Sequence, residues 1–227
     1  MAKPAAKPKK PRISPAEKAR IREVFDRLLT LDEHPKTELD YKTPFMLVTA
    51  VVLSAQATDK SVNKATGPLF AAAPTPQAMV ALGEAALIPY IASIGLFRTK
   101  AKNVIRLAQI LLEQYGGEVP LYREALQALP GVGRKTASVV LNELDIEPAI
   151  AVDTHVYRVA HRLKLSRGKT PDQVEAELMA KVPAEYLTRA HHWLILHGRY
   201  TCLARRPKCE VCPIAELCPS RSLFLGN

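Results

Sequence analysis

Leu129-Pro130-Gly131-Val132-Gly133-Arg134-Lys135-Thr136-Ala137 separates two runs whose apolar residues recur at helical spacing, and the fold turns on how this stretch is read. Leu121 to Leu129 reads as one helix, stopped by Pro130-Gly131, and Arg134 to Leu144 as the next. Glycines at alternate positions permit positive φ and let the backbone approach a ligand. The second helix begins at once, so its unpaired N–H groups and the positive end of its dipole point into the same space. Such a turn holds an anion. The phosphate loops of nucleotide-binding proteins need a preceding strand or a G-K-[ST] ending, and neither is present. A helix–turn–helix that offers backbone amides to one phosphate suits a nucleic-acid strand and carries no sequence information.

The rest of the chain continues the helical pattern. Ser14-Pro15-Ala16-Glu17 is a capping box, followed by Ile21, Val24, Phe25, Leu28 and Leu29 on one face. Phe45 to Ala55 reads as a buried helix, Thr75-Pro76 starts a short one, and Thr99 can cap another that runs to Tyr115 before Gly116-Gly117. A helix can start at Thr154. Thr170-Pro171-Asp172-Gln173 opens a helix to Lys181, and Tyr186 to Gly198 forms the last long one. Only Ala149 to Val152 could pass for a strand. The chain is expected to be all-α with about ten helices. Gly95-Leu96-Phe97-Arg98-Thr99-Lys100-Ala101 faintly echoes the quoted hairpin, but without its second glycine.

Composition narrows the partners. Over 227 residues, 48% are hydrophobic and 24% charged, which excludes disorder throughout. The 32 Lys and Arg against 22 Asp and Glu leave +10, which points to a polyanion. Lys3, Lys7, Lys9, Lys10, Arg12, Lys18 and Arg20 face Glu17 alone, so +6 of that charge lies in residues 1–20. Residues 1–13 are expected to form a disordered basic tail, either solubilising or adding non-specific phosphate contacts. The longest nearly apolar run, Phe45 to Ala55, falls well short of the roughly twenty residues that span a bilayer, so no membrane association is expected. The basic N-terminus has no apolar stretch after it and is not a secretory signal.

Three constellations carry chemistry. Lys135 lies in the first turn after the hairpin, where a cation is electrostatically misplaced; a neutral amine there is a nucleophile that forms Schiff bases. Asp153 follows the apolar Ala149-Ile150-Ala151-Val152 and can cap the next helix, which would hold its carboxylate still as a catalytic base requires. Cys202, Cys209, Cys212 and Cys218 are the only cysteines and share one short loop, a metal-site pattern rather than a disulfide framework. Four thiolates serve zinc or an iron–sulfur cluster alike. One close pair with two long arms suits the larger group. Arg199, Arg205, Arg206 and Lys208 lie in or beside that loop and offer a second phosphate contact.

Taken together these residues resemble the endonuclease III family of DNA glycosylases. Leu129 to Ala137 is similar to its helix–hairpin–helix, Val152-Asp153-Thr154-His155 to its catalytic aspartate segment, and the cysteine spacing to its iron–sulfur loop. Leu53-Ser54-Ala55-Gln56-Ala57-Thr58-Asp59 and His192 to Arg199 also match. Ser138 departs from the asparagine expected there, which should touch packing or a secondary DNA contact.

The resemblance implies a two-domain helix–hairpin–helix glycosylase fold. A six-helix barrel would span 37–147, and an iron–sulfur cluster domain would combine 14–36 with 148–227. DNA would lie across the cleft, with Lys135 and Asp153 at its mouth. A [4Fe–4S] cluster is implied on the four cysteines. Gly131, Val132, Gly133, His155, Arg199, Arg205, Arg206 and Lys208 are implied as DNA contacts. Gln56 and Leu96 are implied as residues pushed into the duplex where the damaged base was; without the family, Leu96 reads as core and Gln56 as an ordinary surface residue. The implied activity is a bifunctional glycosylase and AP lyase of base excision repair. It would remove oxidised pyrimidines from double-stranded DNA, cleave 3′ to the abasic site, and act as a monomer in a bacterial-type cytoplasm beside the nucleoid. A pyrimidine-dimer glycosylase, an adenine-mismatch glycosylase, and a DNA-binding structural or redox protein without catalysis are the alternatives.

Overall fold

The computed structural model describes residues 13–225, so all of the expected tail over residues 1–13 except its last residue lies outside them. The described residues form ten α-helices and no strand: α1 Pro15–Leu31, α2 Pro44–Ser54, α3 Asp59–Ala72, α4 Pro76–Ile91, α5 Phe97–Tyr115, α6 Arg123–Ala128, α7 Arg134–Glu143, α8 Thr154–Arg162, α9 Pro171–Lys181 and α10 Leu187–Tyr200. Most starts are local events. The hydroxyls of Ser14, Thr43, Thr75 and Thr170 each accept an N–H three residues on, with proline opening the first turn. Thr58 caps α3 in the same way.

Four expectations need correction. α5 starts at Phe97, not after Thr99; its N-cap is Leu96, left-handed at φ 59° and without a side-chain cap. α4 runs sixteen residues because it continues past Gly83, whose φ of 75° breaks the helical path. α3 was not expected. Its apolar stripe is thin and Pro68 lies inside it. Ala149 to Val152 is no strand; these residues are mostly buried, but there is no strand among the described residues to pair with them.

The chain divides into two compact units. Lys36–Ala149 holds α2 to α7 around a core in which α2 is apolar on every side: Phe45 to Leu53 are all buried, among Leu69, Met79, Leu87, Ile91, Leu107, Leu111, Leu126 and Leu141. Met1–Pro35 with Ile150–Asn227 holds α1 and α8 to α10. Its core joins Ile21, Val24, Phe25 and Leu28 to Val156, Val159, Trp193, Leu194 and Ile214. Phe25 stacks on Tyr186 at 5.7 Å, the Tyr186 hydroxyl donates to the Asp26 carboxylate, and Trp193 Nε1 donates to the Asp32 carbonyl at 2.8 Å. No helix among the described residues is long and apolar enough to cross a membrane.

Candidate active site and metal centre

The turn between α6 and α7 uses its two glycines differently. Gly131 has φ 80°, and a Cβ on it would stand 3.0 Å from Val52 Cγ1 and 3.2 Å from Asn103 Nδ2. It therefore lets the turn pack onto the end of α2 and the first half of α5. Gly133 is extended and has nothing within 4 Å of where a Cβ would lie. Its small size serves approach from outside. Val132 between them is buried, and its N–H donates to the Leu129 carbonyl at 3.0 Å, so it anchors the turn. α7 starts with no side-chain cap, which leaves its first N–H groups and its positive dipole end available.

Lys135, the second residue of α7, is exposed and makes no hydrogen bond or ion pair among the described residues. Nothing there locks its amine away. Ser138, one turn on, is buried and accepts from Arg123 Nη1 at 2.8 Å, while Arg123 Nη2 donates to Glu147 at 2.8 Å. The departure at Ser138 is thus a packing matter: one arginine ties α6 to α7.

Two more turns in this unit carry expected site residues. Gln56, exposed, follows the C-terminus of α2 with φ 56°. Leu96 is 63% exposed at the start of α5. The bare residue reading, which made Leu96 core, is corrected: its side chain stands largely exposed, on the left-handed residue that precedes the first turn of α5. Both turns end the helices against which Gly131 packs, so the hairpin, Gln56 and Leu96 share one region of the unit.

In the other unit, Asp153 is the N-cap of α8. Its Oδ1 accepts from the N–H groups of His155 and Val156, each at 2.8 Å. Its Oδ2 has no hydrogen bond among the described residues, so one oxygen holds the carboxylate and the other stays available. His155 is half-buried, with Nδ1 3.3 Å from Arg158 Nη2, and packs so tightly on Gly198 of α10 that an added Cβ there would meet His155 Cβ at 2.9 Å.

α8 grips the cysteine loop at its other end. Arg158 Nε donates to the Cys202 carbonyl at 3.0 Å. Arg162 donates to the Leu203 and Ala204 carbonyls at 2.6 and 2.9 Å, and its Nη1 lies 3.3 Å from Cys202 Sγ. All four cysteines line one recess, with Arg162, His197, Ile214, Arg221 and Phe224 among its other walls. Burial, then the charge of the neighbouring thiols, pushes the Cys212 and Cys218 thiols up, and burial pulls the His197 imidazole down to about 4. Four mutually repelling thiolates need a cationic centre among them. No three His, Cys, Asp or Glu among the described residues gather tightly enough for one ion. Four sulfurs on the walls of one recess are a donor set that serves zinc or an iron–sulfur group. Arg205, Arg206 and Lys208 are exposed, Lys208 at the wall of the recess, and form no ion pair among the described residues. Arg199, half-buried, has partners of its own.

Sequence reading overlooked the arginines that organise these sites, Arg123, Arg158 and Arg162, and the buried Lys100 in α5. Lys100 did leave a signal: with Val104, Leu107 and Leu111 it falls on the apolar stripe of its helix, where a lysine needs a reason.

Known proteins share this architecture. Residues 49–184 match the HhH-GPD superfamily of base excision DNA repair proteins, and residues 202–218 the iron-sulfur binding domain of endonuclease III. Endonuclease III of Escherichia coli (strain K12) is 55% identical over 201 residues, covering 88% of this chain and 95% of that one. The structure of a non-covalent endonuclease III–DNA complex superposes with a TM-score of 0.84 at 44% identity, over 91% of this chain and 97% of that one. A trapped endonuclease III–DNA covalent intermediate does so with a TM-score of 0.83, at the same identity and coverage.

Proposed function

The chain belongs to the endonuclease III family of base excision DNA repair proteins, with the all-α fold of the helix–hairpin–helix glycosylases, and from that premise we propose which residues do its work. It is a DNA glycosylase and AP lyase acting on oxidised bases in double-stranded DNA. Its substrates are oxidised pyrimidines, extruded from the stack before reaction. The unit Lys36–Ala149 serves as the six-helix barrel with the hairpin, and the unit of α1 and α8 to α10 as the iron–sulfur domain. The enzyme works as a monomer in a bacterial-type cytoplasm, beside the nucleoid.

Lys135 is the nucleophile. Its neutral amine attacks the sugar C1′; the C1′–N bond to the base breaks, and the base leaves with the electron pair and takes up a proton. Asp153, held by its capped Oδ1, uses Oδ2 to steady the positive charge that develops on the sugar and to move protons. The sugar ring opens to an imine on Lys135. The C2′ hydrogen is then lost as a proton, and its electron pair expels the 3′ phosphate, which cleaves the strand. Gly131 and Gly133 let one phosphate approach the N–H groups at the start of α7. Gln56 and Leu96 fill the space that the extruded nucleotide leaves. Arg205, Arg206 and Lys208, with His155 and Arg199, hold further phosphates.

Cys202, Cys209, Cys212 and Cys218 hold a [4Fe–4S] cluster. When bound, it supplies the positive centre the thiolates need and cross-links the basic loop.

The observation that carries the assignment is an exposed, unpaired lysine at the start of an uncapped helix beside a glycine open to approach. Borohydride should trap a covalent protein–DNA adduct on lesion-bearing or abasic duplex, and Lys135→Ala should lose it. A wild-type protein that gives no adduct removes the lyase assignment.

A further inference from the structure

Lys100 is 5% exposed, and its ammonium donates to the Leu53 carbonyl at 3.0 Å and the Ala55 carbonyl at 2.6 Å. One is a last-turn carbonyl of α2 and the other belongs to its C-cap residue; neither has an intrahelical donor, and both sit at the negative end of the helix dipole. The next residue is Gln56, whose left-handed turn closes with Ala57 N–H donating to the Ser54 carbonyl at 3.0 Å. At its own backbone, Lys100 N–H donates to the Leu96 carbonyl at 3.0 Å, the first hydrogen bond of α5. One residue thus bonds both turns.

Gln56 and Leu96 are two of only five non-glycine residues with positive φ among the described residues, a backbone form that side chains other than glycine adopt reluctantly. Each needs its surroundings to hold it there. Burying a lysine on a core stripe is also costly, and burial pulls the Lys100 ammonium below its ordinary pKa. A plain apolar residue would pack the stripe at less cost but could not reach the α2 carbonyls.

We propose that Lys100 is a positioning residue for base extrusion: it clamps the Gln56 turn to the Leu96 turn, so that both side chains enter the duplex as one preset pair. This rests on the assignment of Gln56 and Leu96 above as the residues that replace the extruded nucleotide. Preset wedges bind the opened duplex without first ordering themselves, whereas wedges on loosened turns must be ordered at the moment of extrusion. The clamp therefore acts on opening the duplex and not on the bond changes at the sugar.

The test is single-turnover base release by the full-length, cluster-loaded enzyme. One lesion is fully paired; the same lesion is placed in a bulge, where extrusion is cheap. Lys100→Met should slow release from paired duplex by about tenfold or more, leave release from the bulge within about twofold, and lose its effect when combined with Gln56→Ala and Leu96→Ala. Lys100→Gln, which keeps one donor, should fall between, and it carries the same comparison should Lys100→Met fail to fold. Equal slowing on both substrates, no slowing on either, or an undiminished effect in the Gln56→Ala/Leu96→Ala background overturns the proposal. A Gln56→Ala/Leu96→Ala enzyme that releases paired lesions at the wild-type rate overturns the wedge assignment instead.

Discussion

On the mechanism proposed above Asp153 has two jobs for its two oxygens, and the jobs can be separated. Oδ1 caps α8 through His155 and Val156, while Oδ2 remains free for chemistry. Asparagine caps a helix as well as aspartate, but it carries no charge. Asp153→Asn should keep the thermal midpoint within a few degrees and still reduce base release by about a hundredfold or more, the usual size of an acid–base contribution. Asp153→Ala should lose that activity and about 1 kcal/mol of stability as well, seen in urea unfolding. Full activity in the asparagine variant would leave Asp153 as a cap alone. Lys135 presents the opposite case. No hydrogen bond in the described structure depends on its side chain, so its loss should touch the reaction and little else.

The hairpin between α6 and α7 shows how far local pattern carries a reading. Its two glycines look alike in sequence, and the alternation was enough to place a tight turn between two helices and to raise the expectation of an anion there. Their separate roles depend on distant neighbours. Gly131 needs its left-handed backbone and presses on Val52 and Asn103; Gly133 faces open space. Gly131→Ala should therefore destabilise the protein by about 1–2 kcal/mol, the cost of a left-handed alanine, with crowding added. Gly133→Ala should leave unfolding unchanged and weaken DNA binding several-fold, because its new Cβ stands where a phosphate would come. Urea titrations and binding to abasic duplex at fixed salt distinguish the two, and matching losses of stability would show that both glycines serve only the fold. Other elements follow the same division. Ser14, Thr43, Thr75 and Thr170 mark their helices through bonds three residues long, and those starts were legible. α5 begins at a left-handed leucine with no local signal, and its start was misplaced.

Over the whole molecule, α8 links two sites of one unit. Asp153 caps one end, and Arg158 and Arg162 hold the cysteine loop from the other. Removing the bound iron and sulfide from the intact chain should release that loop and loosen α8 with it. Amide hydrogen exchange should then quicken over residues 154–162 and 200–220, while α2, α5 and α7, buried in the core of Lys36–Ala149, keep their protection. Equal loss of protection in both units would mean that the cluster supports the whole protein and not one unit.

What residues alone could settle was whatever depends on near neighbours along the chain: where most helices begin, that the fold is all-α, and that four cysteines in a short loop belong to an iron–sulfur binding domain; the same stretches of sequence raised the expectation of a phosphate-binding turn. Caps, prolines, glycine pairs and cysteine spacing act within a few residues, so their consequences are written beside them. Packing decided the remainder. That Lys100 is buried and reaches the end of α2, that Leu96 is exposed, that Ser138 faces Arg123, and that the four thiols share one recess all depend on chain segments tens of residues away. Burial and partnership belong to the neighbours a side chain meets after folding, and no window of sequence contains those neighbours.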